Sequence, residues 1–168
     1  MNKKYNFYNV LFIFILGTLL HFTYNWSNNN FIVGLFSSTN ESIFSHAKLL
    51  ILPTFIFYIL FYKENKVILN KNKFFSSMII QLISSILSMI LIYYTARFGF
   101  NIESLWFDIF LFFLSIVIGL TLSIHYYKYS KKSINYKIWS LIIIGLMIIF
   151  TINPLNFPFF IFKKTRLP

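Results

Sequence analysis

Five stretches of the chain are strongly apolar and almost free of charge, and each is about as long as a bilayer is thick. They cover residues 7–26, 42–62, 74–95, 105–127 and 138–157. A helix rises 1.5 Å per residue, so about 20 apolar residues cross the hydrocarbon layer. The second stretch is apolar only from Leu49 to Tyr62 and reaches full length if its helix starts near Ser42. The fifth is disturbed by Pro154 and Pro158. The pattern predicts an all-α fold: a polytopic transmembrane helix bundle of about five spans, forming a single integral membrane domain over residues 1–168. Lys3 and Lys4 ahead of the first apolar run resemble the start of a signal peptide. The run ends in Tyr24-Asn25-Trp26-Ser27, with no small-x-small cleavage site, so a retained signal anchor is expected.

Composition sharpens this. The chain is 58% hydrophobic, 22% aromatic and 11% charged, against about 25% charged in soluble domains. An ordinary soluble globule, a disordered chain and a disulfide scaffold are excluded. Phe, Tyr, Ile, Asn and Lys all have AT-rich codons, so position carries more information than number. The absence of Cys removes thiolate metal sites and Cys nucleophiles.

Lysine placement sets the expected topology. The segments before span 1, between spans 2 and 3, and between spans 4 and 5 hold ten lysines; the segments on the other side, up to span 5, hold only Lys48 and Arg97. The positive-inside rule puts the N-terminus in the cytoplasm of a bacterial cell membrane. Attraction to anionic headgroups explains these short basic loops, which leave no room for a nucleic-acid reader. Tyr24, Trp26, Tyr93, Tyr94 and Trp106 fall at outer ends; Tyr62, Tyr126, Tyr127, Tyr136 and Trp139 fall at inner ends, where interfacial rings are favoured. Five spans put Lys163, Lys164 and Arg166 outside; the favoured expectation is a helix broken across residues 153–158 with the tail on the outer interface, and the alternative is a re-entrant loop.

This frame gathers the unusual polar residues at the outer surface. Asp108 suits the first turn of span 4. Arg97 and Glu103 read as solvated loop residues, and Lys48 can snorkel outward. His21 is different: its side chain leans toward the bilayer centre, with Thr18 and Asn25 on its face, so it needs a partner on another helix. In the run from Ser37 to Leu49, Asn40 or Thr39 can cap span 2 with Glu41 in the first turn. Glu41, Ser45 and Lys48 then share one face, and Ser42 and His46 form a second line. Pro53 leaves the Leu49 carbonyl without its helical donor. Spans 1 and 2 are joined by one loop, which makes their outer ends neighbours. His21 and His46 lie at similar depth and are expected to face one pocket with Glu41 and Lys48. In span 3, Ser77, Gln81, Ser84, Ser88 and Thr95 share a face; in span 4, Ser115, Gly119 and Ser123 form a small-residue ridge suited to close packing.

Asn40-Glu41-Ser42, His46-Ala47-Lys48-Leu49 and Pro53 resemble the signature of a family of small multi-pass membrane proteins of unknown function from low-GC Gram-positive bacteria. His21-Phe22-x-Tyr24 and Phe150-Thr151-x-Asn153-Pro154 are similar too. Ser45 stands where that family has Glu, which removes a carboxylate beside His46. The resemblance implies a membrane fold and no particular activity.

There is no phosphate loop, zincin spacing or nucleophile elbow. The candidate ligand-binding residues are His21, Asn25, Glu41, Ser42, His46, Lys48, Gln81 and Asp108. His21, Glu41 and His46 are a candidate metal set, and no cofactor is named by any motif. Small-ligand binding or transport is the favoured reading. The alternatives are an interaction, assembly or immunity subunit, and a membrane-embedded His/Glu enzyme or metal site. The lipid bilayer is the expected partner, with a homo-oligomer or membrane partner protein as a further one.

Overall fold

The computed structural model describes residues 3–40 and 42–152. Six helices account for most of them: α1 (Lys3–Trp26), α2 (Phe31–Phe36), α3 (Ile43–Asn65), α4 (Lys71–Tyr94), α5 (Leu105–Tyr129) and α6 (Tyr136–Ile152). A π-helical turn, Thr95–Gly99, prolongs α4. No strand occurs among the described residues. Lys4–Trp26, Ile43–Asn65, Lys71–Gly99 and Leu105–Tyr129 are long and apolar enough to cross a membrane. The expected fifth span is represented by α6, which has 17 residues; residues 153–157, with Pro154, and the tail beyond lie outside the described residues.

Cap chemistry explains most boundaries. The N–H of Asn28 reaches the Asn25 carbonyl at 3.2 Å and that of Asn29 reaches the Tyr24 carbonyl at 3.0 Å. This is a Schellman ending for α1, with Asn28 in the left-handed region at φ 54° in place of the usual glycine. Asn30 caps α2 through Oδ1, which accepts from the N–H groups of Ile32 and Val33. Asn70 caps α4 by accepting from the Lys73 N–H. The cap of α3 departs from expectation. Ser42, not Asn40 or Thr39, is the capping residue, and its Oγ accepts from the Ser45 N–H at 3.2 Å. Asn40 acts one step further out: its Oδ1 accepts from the Ser42 N–H at 3.0 Å and from the Ser45 hydroxyl at 2.7 Å.

The long helices pack antiparallel. Along α1 and α3, the Tyr5 ring meets Phe61, Phe12 meets Phe57, and His21 meets His46. Midway, a Cβ on Gly17 would stand 3.0 Å from the Leu49 carbonyl oxygen and 2.7 Å from the Phe112 ring. The glycine therefore admits the carbonyl that Pro53 cannot supply with a donor. Helices α4 and α5 form the most extensive pair. Ser115, Gly119 and Ser123, the expected ridge, are all buried on α5. At Gly119 a Cβ would collide with the Ser85 hydroxyl and come within 2.6 Å of the Gln81 carbonyl, so only glycine allows this approach. An aromatic cluster of Tyr5, Phe57, Phe61 and Phe74 closes one end of the core. Leu19, Leu87, Leu91, Phe110 and Leu122 are exposed on the outer faces of the helices, the arrangement expected where lipid replaces water.

Candidate functional site

The polar candidates separate into three places. The first lies where α1 ends and α3 begins. The His21 and His46 rings stack, with centroids 5.3 Å apart and planes 28° apart. Both residues are half-buried. His46 Nδ1 lies 2.9 Å from the Ser42 carbonyl oxygen. A carbonyl only accepts, so Nδ1 carries the proton and the ring is oriented by the cap residue. Phe22 stands edge-on to His21 at 5.1 Å and stacks on Trp26 at 5.9 Å, which walls the pair on the α1 side.

Lys48 departs from its expected snorkelling. Its side chain is buried, and Nζ donates to the Gly34 carbonyl at 2.8 Å. Gly34 belongs to the last turn of α2, where carbonyls have no partner within the helix. A helix of six residues cannot hold itself together, and Lys48 ties it to α3 from below. A Cβ at Gly34 would come within 2.9 Å of the Tyr24 ring and displace it. The Phe44 ring lies 5.8 Å from Nζ. Asn25 is exposed in the last turn of α1, where its carbonyl serves the helix ending. Glu41 lies outside the described residues. Among the described residues, no group of three His, Asp or Glu comes together in a way that could hold a metal ion. The imidazole lone pairs lie in the ring planes, so two nearly parallel stacked rings do not converge on one point between them. A metal bound by both would require one ring to turn.

The second place is mid-bundle. Gln81 is 1% exposed. Its Nε2 donates to Asn9 Oδ1 at 2.7 Å, and its Oε1 accepts from Asn9 Nδ2 at 3.3 Å and from the Tyr58 hydroxyl at 2.8 Å. Tyr58 has one hydroxyl proton, given to Gln81, so Ser123 donates across the 2.8 Å contact to the Tyr58 oxygen. One chain of hydrogen bonds thus joins α1, α4, α3 and α5. Gln81 serves here as a structural tie, and the sequence reading missed its partner Asn9. A lone Asn inside an apolar span was the available signal, since an amide in hydrocarbon needs a partner.

The third place is the junction of α4 and α5. Arg97, expected to be solvated, lies in the π-helical turn and its Nη2 pairs with Asp108 Oδ2 at 2.8 Å, while its guanidinium sits 5.2 Å from the Tyr93 ring centre. Asp108 is therefore engaged in a clamp across the short α4–α5 loop. Two surface depressions, one lined by Asn72 and residues 133–137 and one by Tyr8, Leu11, Phe12, Ile15, Leu16, Leu19 and Phe57, include none of the candidate ligand residues.

Apolar helices long enough to cross a bilayer, tied by a buried amide and hydroxyl network, define an all-helical membrane protein. The chain belongs to DUF6512, a family of unknown function whose model matches residues 1–166. No curated protein and no solved structure matches it.

Proposed function

We propose that the chain is a multi-pass protein of a bacterial cell membrane, folded as one integral unit, with its N-terminus in the cytoplasm. In this reading it binds a small anion at the outer ends of α1 and α3, in the service of recognition or transport. The topology rests on the lysine asymmetry between alternate loops. The binding assignment is carried by a single observation, the stacked His21–His46 pair on two different helices. The pair brings two ionisable rings from different helices to one half-buried place at the bundle's edge. They are a reasonable anion receptor, because protonation of either ring creates a cation at a partly desolvated site. A homo-oligomer or a membrane partner belongs to the same proposal, since five spans without a repeat are few for a carrier acting alone.

The test is ligand-dependent stability in detergent. Acetate, sulfate and phosphate are the probes, with zinc as the contrasting one. Saturation at about 100 times Kd contributes about 2.7 kcal/mol, roughly 5–10 °C in Tm for a chain of this size. At least one anion should produce such a shift in the native chain and lose it in His21→Gln/His46→Gln. A shift with zinc alone would replace the anion reading by a metal one. No shift with any probe would reduce the pair to a packing contact.

A further inference from the structure

At the opposite end of the bundle from the histidines, an open depression of about 360 Å³ is lined by Asn72, Ser133, Ile134, Asn135, Tyr136 and Lys137. Its walls are fixed. The Ser76 hydroxyl lies 2.9 Å from the Ile134 carbonyl and 2.7 Å from that of Asn72, which pins the α5–α6 loop to α4. The Tyr136 ring stacks on Phe75 at 5.1 Å and anchors the start of α6 to the same helix. On the far side of the loop, the Tyr126 hydroxyl donates to the Lys132 carbonyl at 2.7 Å. The depression is thus held open by hydrogen bonds and ring contacts.

Its surroundings are basic. Lys71, Lys131, Lys132 and Lys137 are exposed on the segments that build it, and the chain carries no acid between residues 65 and 102 or between 109 and 152. Asn72, Ser133 and Asn135 add polar side chains on the lining itself. One flank is apolar. From Lys137 onward α6 exposes Ile138 (53%), Leu141 (72%) and Ile142 (44%), with Trp139 at the boundary. A polar, cationic cup continuous with an exposed apolar helix face has the two-part chemistry of a phospholipid, and a soluble phosphate would use only the cup.

We propose that this depression binds the phosphate-bearing headgroup of an anionic phospholipid whose acyl chains lie along α6. Basic pockets between membrane helices recognise such headgroups by charge, and each lysine near an anionic surface is worth a factor of about five in affinity. The assignment is independent of the His21–His46 reading and of which leaflet the depression faces.

The experiment uses the full chain purified in a neutral detergent. It is titrated with dioleoylphosphatidylglycerol or dioleoylphosphatidylcholine, and bound lipid is counted by native mass spectrometry. The anionic lipid should be retained in preference to the zwitterionic one. Lys137→Gln should weaken its retention about fivefold, Lys137→Arg should restore it, and Lys66→Gln, which removes the same charge outside the depression, should change it less than about twofold. Both positions are exposed, so folding should be unaffected, which circular dichroism checks. Equal losses for Lys137→Gln and Lys66→Gln would mean diffuse attraction and overturn the site. So would equal retention of the two lipids. Displacement of the anionic lipid by millimolar inorganic phosphate would identify a free-phosphate site and overturn the lipid assignment.

Discussion

Gln81 and His46 both place a polar group on an apolar helix, yet their surroundings are opposite. Gln81 is sealed in the middle of the bundle, and its amide oxygen and nitrogen are satisfied by Asn9 and Tyr58 on two other helices. His46 stands half-buried at the end of α3, oriented by its own cap residue and stacked on another ring that can also carry charge. A closed amide network fixes register, because any slip of one helix breaks several bonds at once. The ionisable pair instead joins two helix ends at the boundary, through ring stacking and the α3 cap. Polarity within a membrane helix therefore has two settings here, a sealed amide network at the centre of the bundle and ionisable rings at its edge.

Substitutions can break this contrast. The largest effect is expected at the centre. Gln81→Leu leaves Asn9 without its amide partner and the Tyr58 hydroxyl without its acceptor; each buried unsatisfied group costs about 1–3 kcal/mol. A loss of about 2–4 kcal/mol, or roughly 5–15 °C in thermal unfolding in detergent, is expected. A shift below about 2 °C would show that the network contributes no stability.

Gly119→Ala comes next. Its methyl group meets the Ser85 hydroxyl and the Gln81 carbonyl, and overpacking of this kind costs about 1–3 kcal/mol. Because a backbone oxygen is involved, α4 and α5 must separate, and the same thermal assay should register it.

Lys48→Met should have a smaller global effect, about 1–2 kcal/mol, and a concentrated local one. With the Gly34 carbonyl orphaned, α2 loses its tether, and hydrogen exchange should quicken over residues 31–36 while α4 is unchanged. Uniform quickening along the whole chain would contradict a tether confined to α2.

The smallest effect is expected at the histidines. His46→Gln should change stability by less than about 1 kcal/mol, whereas a His21→Cys/His46→Cys pair should cross-link with a short bifunctional thiol reagent. The native chain contains no Cys, so the background is clean. Failure to cross-link in a folded protein would mean that the rings do not meet.

Much of this was legible in the residue pattern. Long apolar runs must be helices in lipid, since no other open structure satisfies the backbone there. The neighbourhood of His21 and His46 followed from two antiparallel spans joined by one loop, with the two residues at equal depth. The errors arose where several residues could do the same work or where the partner was backbone. Ser38, Thr39, Asn40 and Ser42 all have the chemistry of a cap, and only three-dimensional closure selects Ser42. The six-residue α2 is too short to show a period, so the sequence offers a single loop between spans 1 and 2. Lys48 is held by a main-chain carbonyl, which no side chain announces. Arg97 and Asp108 were the most recoverable, being opposite charges at the two ends of one short connection.

Pro53 gives α3 a mechanical asymmetry. The segment before it carries Ser45, His46 and Lys48, and the segment after it carries Tyr58. Between them one rung of the helical ladder is missing, and the carbonyl of that rung faces Gly17 rather than a donor. A load applied at the imidazoles meets that joint five residues before Tyr58, where the amide network takes hold of α3. Bending at that joint would tilt the histidine segment, together with the α2 that Lys48 carries, as one lever. Its fulcrum is the contact with α1 at Gly17, and the far arm stays clamped by Tyr58.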